Sequence, residues 1–114
     1  MSESSFIIEE FQFYKVFLYG RHNEGEKTDY GIQLNIPSGK VVMRFSRDYT
    51  QPNTFTEKNG KYTFFVYLRS DKYAAHIDIL RYEKPLFFYY NFDNNQTYMT
   101  TSDEPVGEEE SSSD

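Results

Sequence analysis

Between Lys61 and Phe92, phenylalanine and tyrosine occupy both alternations of successive strand-like runs. In Lys61–Arg69, Tyr62, Phe64, Val66 and Leu68 fall on one side, with Phe65, Tyr67 and Arg69 on the other. In Leu86–Phe92, Leu86, Phe88, Tyr90 and Phe92 oppose Phe87, Tyr89 and Asn91. Successive side chains of a strand point to opposite faces of its sheet, and rings favour a pleated, half-buried surface. One set therefore suffices for a core. The second set, Phe65, Tyr67, Phe87 and Tyr89, requires a covering layer, a partner or a ligand. With Arg69 and Arg81 near strand ends, joined there by Lys61 and Lys84, these residues are the expected binding surface.

The rest of the chain reads in the same way. Aromatics make up 19% of it, while Ala and Leu are scarce, so propensity favours sheet. Phe11–Tyr19 reads as one long strand with neither face cleanly polar. Tyr30–Ile36 and Lys40–Ser46 alternate well around Pro37-Ser38-Gly39, a turn in which proline presets φ and glycine supplies a positive one. Asn59-Gly60 marks a second hairpin, between Thr54–Glu57 and Lys61–Arg69.

Over 70–82 two periodicities compete. Tyr73, Ile77 and Leu80 have helical spacing, whereas Ala75–Ile79 alternates strictly and favours a strand. Glu83-Lys84-Pro85 forms a corner, Asp93-Asn94-Asn95 a turn, and 96–101 the last strand. The expected fold is mainly β: an antiparallel meander of about seven strands forming a barrel or a sandwich, with at most one short helix near 70–82.

Charge is unevenly spread. Of the 18 acids, six lie in 103–114 and three in 1–10, which leaves nine against 12 Lys and Arg in 11–102, a formal +3. The net −6 thus belongs to the ends. Residues 1–102 are expected to form a single domain, and 103–114, rich in Glu, Ser, Pro and Gly, a disordered acidic tail. The N-terminus lacks a basic secretory region and no apolar run reaches the ~20 residues of a membrane helix. A cytoplasmic location without membrane attachment is the expectation.

Catalytic signals are sparse. There is no cysteine, which removes disulfides, thiolate metal sites and thiol nucleophiles. The glycines stand singly, without a phosphate-binding loop. His22 lies in a charged loop, and His76 and Asp78 would share a face only if their segment were a strand. The expectation is a non-enzymatic binding module without cofactor or metal, using its second aromatic face as a protein interface, in a homodimer. An alternative is a single-stranded nucleic-acid binder that stacks bases on the rings, with the acidic tail competing for the site. A barrel enclosing a small apolar ligand is a third reading.

Overall fold

The computed structural model describes residues 5–18, 28–47 and 51–102. The charged loop after Tyr19, with His22, and the acidic tail fall outside the described residues. Among these residues eight strands and one α-helix follow in chain order: β1 (Phe6–Phe11), β2 (Phe13–Leu18), β3 (Thr28–Ile36), β4 (Gly39–Ser46), β5 (Thr54–Lys58), β6 (Lys61–Arg69), α1 (Tyr73–Tyr82), β7 (Leu86–Asn91) and β8 (Thr97–Thr101). They form a three-stranded sheet in the order β1-β7-β8 and a five-stranded sheet in the order β2-β3-β4-β6-β5.

The inner faces of the two sheets meet across one core. Phe64 of β6 lies 4.6 Å from the Tyr90 ring and 5.5 Å from that of Phe88, both on β7. Ile32, Leu34, Ile36, Val41, Met43, Phe45 and Val66 complete the buried face of the larger sheet. Phe11, Leu86, Phe88 and Tyr90 supply that of the smaller one. Both second-face sets of rings therefore point outward. Among the described residues the strands do not close into a barrel.

Three sequence-based expectations change. The long strand from Phe11 is broken at Gln12, where the chain leaves the edge of the small sheet and enters the edge of the large one. Its mixed faces arise because Phe11 is buried in the first sheet while every residue of β2 is exposed in the second.

Next, the chain is not a simple meander, because β4 and β6 run parallel. The β5–β6 hairpin inserts with β6 inward. Phe64 and Val66 are buried there, whereas the polar β5 (Thr-Phe-Thr-Glu-Lys) takes the edge, where unpaired backbone can face water. Gly39 begins the parallel pairing beside Tyr62 with φ of 151°, a backbone region essentially reserved for glycine.

Finally, the strand favoured over Ala75–Ile79 is not formed: 73–82 is the one short helix allowed for near 70–82, preceded by a 3-10 turn over Ser70–Lys72. The strand-like alternation of Ala75–Ile79 loses to burial. Tyr73 stacks on Tyr30 at 4.1 Å and meets the Phe45 ring edge-on at 5.4 Å. Ile77 and Leu80 pack against the same core. On a helix His76 and Asp78 no longer face each other. The His76 Nδ1–H donates to the Lys72 carbonyl oxygen at 2.8 Å and the ring lies against Phe45, while Asp78 is exposed.

Polar ties join the layers. The Glu9 carboxylate on β1 accepts the Ser38 backbone N–H at 3.0 Å and the Ser38 hydroxyl, fastening the small sheet to the β3–β4 turn. Asn53 accepts the Tyr67 N–H at 2.9 Å and donates to the Asn95 carbonyl at 3.1 Å.

Candidate functional site

The two sheets carry the expected binding residues on opposite sides of the molecule. Phe87 and Tyr89 lie on the outer face of β7, and Phe65, Tyr67 and Arg69 on the outer face of β6, all but Arg69 half-buried. Arg81 belongs to neither face. It sits in the last turn of α1, its guanidinium 5.7 Å from the Tyr82 ring, and lines a cleft of about 770 Å³ between the β1–β2 bend and the α1–β7 corner.

The outer face of the small sheet is apolar. Register places Ile8 opposite Tyr89 and Tyr89 opposite Tyr98. The rings of Tyr89 and Tyr98 stack at 4.4 Å and 8°, and Phe6 leans on Tyr89 at 5.4 Å. Phe6, Ile8 and Tyr98 remain 41%, 48% and 47% exposed. Polar groups stand at the margins: Asn91, which donates to the Tyr89 hydroxyl at 3.2 Å, and Glu10 and Thr100, which flank Phe87. Aromatic pairs at such separations add about 0.5–1.5 kcal/mol each beyond area burial, so this ladder is preformed. Sequence reasoning missed Phe6, Ile8 and Tyr98. The alternation of Phe6 and Ile8 around Ile7 was the available signal.

The outer face of the large sheet is different in kind. Reading across β2-β3-β4-β6, one row holds Lys15, Gln33, Val42 and Phe65. The next holds Phe17, Gly31, Arg44 and Tyr67. Arg44 lies 5.7 Å from the Phe65 ring and Lys15 lies 5.8 Å from the Phe17 ring, both cation–π distances. Arg69 pairs with Asp71 at 2.8 Å, with both side chains well exposed, so the pair contributes little to stability and can be exchanged.

Among the described residues no group of three or more His, Asp or Glu side chains is gathered around a metal-sized space, and no helix is long and apolar enough to cross a membrane. Fold and surfaces together define an aromatic-rich, two-sheet β structure with two faces, one apolar and one basic, that no other described element covers. Neither a protein-family model, nor a curated protein, nor a solved structure matches the chain.

Proposed function

We propose that this protein is a non-enzymatic assembly module of sandwich type that forms a homodimer through the outer face of its three-stranded sheet. The observation that carries this reading is the uncovered ladder Phe6–Tyr89–Tyr98 with Ile8 and Phe87 beside it. An apolar centre with a polar margin of Glu10, Asn91 and Thr100 has the anatomy of a protein interface, in which rings are enriched at the core and charges kept to the rim. The same face on a second copy meets it across a two-fold axis, and among the described outward positions of β1, β7 and β8 only Glu10 brings a formal charge to the contact. Tyrosine suits such a surface because it offers large area, few rotors and a hydroxyl for the wet edge.

Multi-angle light scattering at tens of micromolar is expected to give twice the 13.6 kDa chain mass. Ile8→Glu with Tyr98→Glu is expected to return it to the chain mass with an unchanged circular dichroism spectrum. A monomer of the unmodified chain, or a dimer indifferent to both substitutions, overturns the assignment.

A further inference from the structure

On the side of the molecule away from that interface, we infer that the outer face of the five-stranded sheet binds single-stranded nucleic acid. The inference rests on charge and ring placement and stands whether or not the protein dimerises.

Charge selects a polyanion. The outward positions of β2, β4 and β6 carry Lys15, Lys40, Arg44, Lys61 and Arg69, and β5 adds Lys58 opposite Lys61. From Phe13 to Phe17, Gly31 to Asn35, Lys40 to Ser46, Thr54 to Lys58 and Lys61 to Arg69, no outward position holds an acid. Asp29 and Asp71 stand at one end of the sheet, where Asp29 meets Ser70 and Arg47 and Asp71 meets Arg69. Glu57 is on the opposite alternation of β5, beside Tyr62. In a chain of net charge −6, a sheet face with six cations whose acid, Asp29, is confined to one end beside Arg47 is a marked segregation, and it attracts phosphates.

Ring placement narrows the polyanion to one with unstacked bases. Phe65 and Tyr67 are two residues apart on one strand, about 7 Å, and Phe13 and Phe17 lie on β2, three strand spacings or about 14 Å away. Lys40 and Arg44 lie between the two pairs, on β4. A single strand laid across the sheet finds rings at both sides for its bases and cations between them for its phosphates, the combination that sequence-tolerant single-strand binders use. Gln33 and Asn35 supply hydrogen-bonding groups between the rings, Thr54 and Thr63 supply more beside Phe65, and Gly31 leaves a low place between Phe17 and Arg44. A duplex hides its base faces, so it meets only the cations.

The test is fluorescence anisotropy with labelled oligo(dT) and oligo(U) at low salt, using the full chain. A second preparation has the six acids of 103–114 changed to Asn or Gln, which separates the face from competition by the tail. Both single strands are expected to bind, with a log–log salt slope of about −3 if four cations each meet a phosphate. Lys15→Gln with Lys40→Gln, at exposed positions outside the core, is expected to weaken binding at least tenfold and to flatten that slope. Tyr67→Ala is expected to weaken it about tenfold, with thermal melting run alongside to show the fold intact. Ile8→Glu with Tyr98→Glu, on the other face, is expected to leave single-strand binding in place, so failure of the dimer and failure of this site are separate results. Absence of binding by both preparations at low salt overturns the inference. So does equal affinity for duplex DNA or heparin, which leaves the rings without a role, or insensitivity to the Lys15 and Lys40 substitutions.

Discussion

The hydroxyl of Tyr90, whose side chain is wholly enclosed in the core, donates to the Asn95 side-chain oxygen at 2.7 Å. Asn95 sits in the left-handed region at φ 62°, its N–H donates to the Asn91 carbonyl at 2.8 Å, and its own carbonyl accepts from Asn53. One turn residue thus ties the buried strand β7 to the segment leading into β5 of the other sheet. Tyr90→Phe is expected to lower stability by about 1 kcal/mol, which for a domain of this size lowers Tm by about 4 °C. Asn95→Ala loses the same bond and adds about 1 kcal/mol of left-handed strain. Urea denaturation of the two variants reads the difference.

Tyrosine ionisation should weaken the fold at alkaline pH. Burial raises Tyr90 above its ordinary pKa, and Tyr73 is raised by burial and then by the neighbouring Tyr30 and Tyr14 phenols. In the unfolded chain these phenols ionise near the ordinary value of about 10. The unfolded state therefore binds fewer protons than the native state above that pH, and stability falls as pH rises. Urea midpoints are expected to be level from about pH 8 to 9.5 and to drop beyond it, less steeply in Tyr73→Phe.

Two glycines with positive φ should respond unequally to substitution. A Cβ on Gly39 overlaps the Tyr62 backbone where β4 begins to pair with β6, and nothing there can yield without parting the strands. Gly39→Ala is expected to cost about 3 kcal/mol or more. At Gly60, with φ 79°, the space is open and only the conformation is strained, so Gly60→Ala should cost about 1 kcal/mol. Calorimetric melting distinguishes them.

Glu9 tests the link between the sheets. Its carboxylate receives both donors of Ser38. Glu9→Ala is expected to cost about 1.5–3 kcal/mol, the range for hydrogen bonds to a charged group, and to speed amide exchange in β1 ahead of β7. Glu9→Gln, which keeps one good acceptor, should lie between Ala and the natural residue.

Much of this architecture was legible from local pattern. The β3–β4 hairpin follows from Ile32, Leu34 and Ile36 alternating against Val41, Met43 and Phe45 around Pro37-Ser38-Gly39, and β6 and β7 follow from their alternating rings. Helix α1 was not decided by pattern, since Ala75–Ile79 alternates and Tyr73, Ile77 and Leu80 also recur at helical spacing. What decides it is burial: Tyr73 stacks on Tyr30 and meets Phe45, and Ile77 and Leu80, on the same helical face, join the core. Likewise Phe11–Tyr19 reads as one strand, because nothing in its alternation tells which sheet a residue will join, and Phe6–Glu10, the rest of β1, is not read as a strand.

The candidate surfaces divide in the same way. That Phe65, Tyr67, Phe87 and Tyr89 would not all be core was readable from period two alone, because a strand has two sides and each run carries rings on both. The sequence by itself therefore determined a β protein with more aromatic surface than one core can use. Only the tertiary structure decided that this surplus is two surfaces: facing inner alternations, Phe64 against Phe88 and Tyr90, oblige the outer alternations to point in opposite directions. Register then set Tyr98 and Ile8 beside Tyr89, and Lys15 and Arg44 in line with Phe65 and Tyr67. Partners so distant along the chain are set by strand order and pairing, which local sequence does not encode.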